Sequence, residues 1–141
     1  LIVNYGTAGA LHASVGGLLE IGSVIQRDMI AEPLAPRGVT PFADHSAEIR
    51  SGHDGARCAT GDSFVTAADS WLTLQHADVV DMELFAIAHA CRRAGVPWRS
   101  FKFVTDAADD RAADHWNERV GHGEEQFVAA LQALVSVRHP A

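Results

Sequence analysis

The sequence predicts an α/β domain built on a mostly parallel sheet with helices over both faces. Three observations predict it. Short apolar runs rich in β-branched residues alternate with stretches of helical pattern, as parallel strands and their crossovers require. The stretch from Met82 to Ala94 is a well-marked helix set between two apolar runs. The composition, 48% hydrophobic and 21% charged over 141 residues, belongs to one globular domain with a core of ordinary size.

The elements follow in order. Leu1, Ile2, Val3, Asn4 and Tyr5 form a buried strand that ends at Gly6, without the basic n-region of a signal peptide. A second strand follows Gly22 and centres on residues 23–25. Residues 31–55 hold Pro33, Pro36, Pro41 and many polar groups, and read as a long excursion of the functional kind. A third strand covers 56–60 and stops at Gly61, a fourth covers 77–80, and a fifth covers 98–104. The helix from Met82 to Ala94 has Glu83 in its first turn and Arg92 and Arg93 in its last. Gly95 and then Pro97 terminate it. A final helix is expected from about Asp114 to Val137, broken at Gly121, His122 and Gly123.

Charge and composition exclude several function classes. The formal charge is -7 and the 11 basic residues are scattered. The basic pair Arg92-Arg93 reads as a solvated helix end, so nucleic acid is not an expected partner. No apolar run approaches the roughly 18 residues of a membrane helix. Cys58 and Cys91 sit in apolar patterns and read as buried free thiols of a reducing compartment, the cytoplasm. The eight histidines lack metal-ligand spacing: neither His45 and His53 nor His115 and His122 form an H-E-x-x-H pattern, so no metal is expected. Because the chain starts at Leu1 and not at Met, it reads as the later part of a longer protein.

Four motifs carry chemistry. After the first strand, Gly6 lets the backbone approach a ligand, and the hydroxyl of Thr7, beside Ala8, can hydrogen-bond it; a plain tight turn is the alternative, and no P-loop is present. After the third strand, Asp62 or Ser63 can cap a helix; alternatively Phe64 stacks on a flat heterocycle whose edge the backbone at Val65 reads. Glu83 opens a helix, where the dipole favours an ionised carboxylate able to accept two hydrogen bonds from a vicinal diol such as ribose; Met82 precedes it. Asp106, after Thr105, stands at the mouth of an apolar strand. It suits either a partly desolvated general acid or the N-cap of a following helix. Asp109, Asp110 and Asp114 read as helix-start and surface charges. Ligands of α/β sheets bind outside the carboxyl ends of the strands, where both Glu83 and Asp106 fall. Two acids so placed suit a reaction needing one ionised and one protonated carboxyl group.

Taken together, residues 4–11, 60–65, 81–91 and 104–109 resemble the nucleoside phosphorylase/nucleosidase superfamily, nearest to its bacterial 5'-methylthioadenosine/S-adenosylhomocysteine nucleosidases. The resemblance runs from Ile2 to about Val137 and implies a three-layer α/β/α sandwich, here one domain corresponding to the C-terminal portion of the family's fold. It implies hydrolysis of the N-glycosidic bond of an adenine nucleoside or 5'-thionucleoside, without cofactor, by a homodimer with the 31–55 excursion near the partner's site. It assigns Met82 and Glu83 to the ribose, Phe64 and Val65 to the purine, and Thr105 and Asp106 to the pair whose Asp protonates purine N7. Thr7 takes the place of the Ser near the attacking water. The family's N-terminal portion, with its water-activating Glu, has no counterpart here. Lys102 stands where the nucleosidases usually carry Arg, and the bulky Leu84 and Phe85 stand where small residues are common. Asn4 occupies the position at which phosphorylases carry a phosphate-binding Arg, which favours water as nucleophile. A phosphorylase and a non-catalytic nucleoside-binding module are the alternatives.

Overall fold

A computed structural model of the chain describes residues 1–43, 47–107 and 121–138. Six strands form one sheet: β1 (Ile2–Ala10), β2 (Leu18–Gln26), β3 (Glu48–Arg50), β4 (Ala56–Thr60), β5 (Val79–Asp81) and β6 (Trp98–Asp106). Among the described residues the helices are α1 (Ser70–Leu74), α2 (Leu84–Ala94) and α3 (Glu124–Arg138). Among the described residues no helix is long and apolar enough to cross a membrane.

The strand order is β3-β2-β4-β5-β1-β6, and β2 also pairs with β6. The sheet is mixed, which corrects the expectation of a mostly parallel one. β1–β6, β2–β4 and β4–β5 are parallel, whereas β1–β5, β2–β3 and β2–β6 are antiparallel. The cause lies in β2. Its first residues, Leu18 to Glu20, pair with β6, and from Ile21 onward it pairs with β4, with a register shift at Gly22 inside that ladder. A strand that pairs with both β4 and β6 closes a sheet that strand–helix alternation alone would leave open. The short strand β3, inside the excursion, also went unpredicted. It pairs with Ser23, Val24 and Ile25 along the outer edge of β2.

Side-chain alternation divides the core between the two faces of the sheet. Val24, Cys58 and Val79 are successive register partners across β2, β4 and β5, and pack with Leu84, Phe85, Ala88 and Cys91 of α2. Their neighbours Ile25, Ala59 and Val80 point the other way and pack with Leu72 of α1 and with Ala77. The buried positions of α2 recur at one-turn spacing, the stripe of a core-facing helix. Tyr5 of β1 stacks on Phe127 of α3, with ring centroids 4.4 Å apart.

Helix α2 ends as its sequence predicts. Gly95 adopts φ 64°, its amide donates to Arg92 O, and the Val96 amide donates to Cys91 O. Its start is later than predicted: Met82 and Glu83 precede the helix, and Glu83 is the N-cap residue with no side-chain capping bond. The predicted cap at Asp62 or Ser63 is also displaced. Asp69 caps α1, accepting from the Trp71 amide at 2.9 Å. Of the predicted final helix, residues 121–123 form a turn and α3 follows, while Asp109, Asp110, Asp114, His115 and also His45 lie outside the described residues.

Candidate active site

The carboxyl ends of β2, β4, β5 and β6 and the second half of β1 border one cavity, open to solvent. Its lining includes Thr7, Ala8, Phe64, Val65, Met82, Glu83, Thr105 and Asp106, all eight residues singled out from the sequence. Gly9, Arg27, Ser63, Val80 and Asp81 complete it.

Thr105 and Asp106 are consecutive in a strand, so simple alternation would send them to opposite faces. A bulge reconciles them: Ala8 pairs with Val104 and Gly9 with Asp106, leaving Thr105 without an opposite residue. Both side chains therefore reach the cavity. Thr105 is fully buried and Asp106 is 7% exposed. The Thr105 hydroxyl donates to Asp106 Oδ2 at 2.9 Å, which orients the carboxyl group.

The opposite character is found at the start of α2. Glu83 has a side chain 66% exposed, and Met82 and Phe64 are likewise open to the cavity, with Phe64 49% exposed. A half-exposed aromatic ring in a cavity wall is a face on which a flat ring can stack. Leu84 and Phe85 do not intrude. They are buried under the sheet in the α2 core, so their bulk leaves the cavity unaltered.

Beside Glu83 lies an ionic network. Lys102 of β6 is 1% exposed and its Nζ is 2.7 Å from Asp81 Oδ2, whose side chain is fully buried. The same ammonium is 3.9 Å from Glu83 Oε2. Asp81 also accepts from the Leu84 amide at 3.0 Å, the Thr60 hydroxyl at 2.5 Å and the Cys58 thiol at 3.3 Å. Thr60 Oγ1 in turn accepts from the Phe85 amide at 3.0 Å. Asp81 and Thr60 thus satisfy the first amides of α2. Burial, with Asp81 alongside, pushes the Cys58 thiol well above its usual range.

This network explains Gly6. The residue sits inside β1, not at the turn expected after residue 5, and a Cβ there would fall 3.0 Å from Lys102 Nζ. The glycine makes room for the buried ammonium. Asn4, the position of interest for phosphate, is outside the cavity lining and accepts from Ser100 Oγ at 2.8 Å.

Arg27, Asp81 and Lys102 were absent from the sequence-derived site. Arg27 is 6% exposed, and its guanidinium donates to the carbonyls of Ser63 and Gly61, the latter at 3.2 Å, and to Ser63 Oγ at 3.4 Å. Burial lowers its hold on its proton. The sole sequence signal was an ionisable residue directly after an apolar strand.

Comparison with known proteins places these features in context. The sequence profile of the phosphorylase superfamily matches residues 1–137. The 5'-methylthioadenosine/S-adenosylhomocysteine nucleosidase of Staphylococcus haemolyticus is 27% identical over 159 aligned positions, 97% of this chain and 70% of the relative. A mutant of the Helicobacter pylori nucleosidase with 5'-methylthioadenosine in its active site superposes with a TM-score of 0.81 at 20% identity, over 95% of this chain and 67% of that one. The native futalosine hydrolase of Helicobacter pylori superposes with a TM-score of 0.83 at 22% identity, over 95% and 66%. The chain therefore spans about two thirds of the length of these structures.

Proposed function

The chain belongs to the phosphorylase superfamily, and from that premise we propose that it is an N-ribosyl hydrolase acting on a purine nucleoside or 5'-thionucleoside. The observation that carries this reading is one cavity combining buried, Thr105-oriented Asp106, solvent-facing Glu83 and half-exposed Phe64. The nucleosidases and futalosine hydrolase to which the chain is similar support it. The three-layer α/β/α sandwich of the family is the architecture we assign to the domain; the core clusters on two faces of the sheet support it.

In this reading the purine stacks on Phe64 and meets the backbone at Val65. Glu83 accepts both ribose hydroxyls, with Met82 against the sugar and Thr7 and Ala8 closing the far wall. Asp106 gives its proton to N7 as the C1'–N9 bond breaks, so the bonding pair leaves on a neutral base. The carboxylate of Glu83 offsets the positive charge developing on the ribosyl ring. The oxygen of water bonds to C1' and its proton is lost to a base not assigned among these residues. General acid help of this kind contributes on the order of 10²–10⁴ in rate.

Two facts favour water over phosphate. Phosphate needs charge-assisted donors. Among the described residues the cavity lining carries one cation, Arg27, engaged on the Gly61 and Ser63 carbonyls; the buried Lys102 behind it is engaged on Asp81. Incubation of the protein with 5'-methylthioadenosine, with and without phosphate, tests the reading. Adenine and free methylthioribose are expected in both. Phosphate-dependent formation of the sugar 1-phosphate would replace hydrolase by phosphorylase, and adenine binding with no release of base would reduce the protein to a binding module.

A further inference from the structure

Residues 61–65 carry Phe64 and Val65 but belong to no helix or strand. They are held from the end of β2. The Arg27 amide donates to the Thr60 carbonyl at 2.8 Å, so β2 and β4 run side by side up to this point. Its guanidinium then bridges the Gly61 and Ser63 carbonyls. The side chain lies flat across Gly61, where a Cβ would fall 2.8 Å from Cγ and Cζ and 2.9 Å from Nε. A side chain at 61 would displace either the arginine or the loop. Asp28 adds a bond, accepting the Asp62 amide at 2.6 Å.

The far end of the same loop is tied down in the same way. Arg37 forms a bidentate pair with Asp69, at 2.6 and 3.2 Å, and lies 4.6 Å from the Trp71 ring centre. Its Nε donates to the Arg27 carbonyl at 2.8 Å. The pair keeps the Asp69 carboxyl below its usual range. A cation desolvated onto neutral carbonyls is costly to bury, and a planar fork that meets two acceptors at once fixes geometry as a single ammonium does not.

We propose that Arg27, assisted by Asp28, is a positioning residue of the base site: it sets the placement of Phe64 and Val65, and so controls affinity for the purine. The proposal rests on the reading that Phe64 and Val65 hold the base. Nη2 holds both carbonyls while Nη1 reaches Ser63 Oγ and the planar group lies over Gly61; Lys has one nitrogen and no plane, so Arg27→Lys is expected to fail along with Arg27→Met.

The probe is free adenine, titrated calorimetrically into the protein and its Arg27→Met, Arg27→Lys, Asp28→Ala and Phe64→Ala variants. Both Arg27 variants are expected to weaken adenine by about tenfold or more, and Asp28→Ala, which removes one exposed bond, by about threefold. In turnover of 5'-methylthioadenosine, KM should rise in step while kcat stays within about threefold, because base contacts exist in ground and transition states alike. Hydrogen exchange should quicken at amides 61–65 and not in β4. If Arg27→Met does not fold, Arg27→Lys and Asp28→Ala decide. The proposal is overturned if Phe64→Ala loses adenine while Arg27→Lys and Asp28→Ala bind it within about twofold of the parent. If Phe64→Ala itself binds adenine normally, the base-site reading has failed and the proposal falls with it.

Discussion

Lys102→Met removes the buried ammonium while keeping most of its volume, and isolates the worth of the Asp81–Lys102 pair. The ions are 2.7 Å apart with side chains 1% and 0% exposed. At an effective dielectric constant of about 20, Coulomb attraction at that distance is about 6 kcal/mol. Desolvation of both ions offsets much of it, yet removing one partner strands the other, at a cost of about 3–5 kcal/mol. Asp81 keeps the Leu84 amide and the Thr60 hydroxyl as donors, which favours the lower part of that range. At about 3 °C per kcal/mol for a domain of this size, the melting temperature should fall by about 10 °C. Glu83 should be affected far less. Its 3.9 Å contact with Lys102 involves a carboxylate 66% exposed, where a pair contributes at most about 1 kcal/mol, so KM should change by less than about fivefold. Urea unfolding followed by tryptophan fluorescence measures the stability term. The double variant Lys102→Met/Asp81→Asn, which removes both charges, should recover at least half of the loss. A single variant within about 1 kcal/mol of the parent, or a double variant no more stable than the single, would refute the reasoning.

Two further expectations concern the chemistry. Asp106→Asn keeps the shape and the Thr105 contact but has no proton to give, so kcat on an adenine nucleoside should fall about 10²-fold or more with KM little changed; near-normal turnover would remove Asp106 from the mechanism. Wild-type protein should discriminate strongly against substrates lacking the 2'- or 3'-hydroxyl, and Glu83→Gln should discriminate less. Equal losses in both proteins would show that Glu83 does not touch the ribose.

Several residues lining the cavity were legible because they follow an apolar run. Phe64, Met82, Glu83, Thr105 and Asp106 all stand where a strand ends, and strand ends converge whatever the exact strand order. The helix stop at Gly95 was legible for a similarly local reason, since its signal lies within a few residues. Local signals erred where a long-range partner outcompeted them. Glu83 has the sequence of a first-turn acid, but Asp81 takes the Leu84 amide because Thr60 and Lys102 hold it there. Gly6 has the look of a turn, yet it remains in β1 because Lys102 fills the space beside it.

The sequence by itself determined which residues could do chemistry and at which ends of which elements they stand. It determined the α2 stripe and its stop, and the acid at the end of β6. Only the tertiary structure decided the partners of the charges. Arg27 meets Gly61 and Ser63, and Lys102 meets Asp81, because β2 lies parallel to β4 while its first residues pair back on β6. The parallel β2–β4 ladder brings together residues 34 positions apart in one case, Arg27 and Gly61. Apolar periodicity reports which face of an element is buried. It does not report which strands are neighbours, and a buried charge is stabilised by the particular atom opposite it.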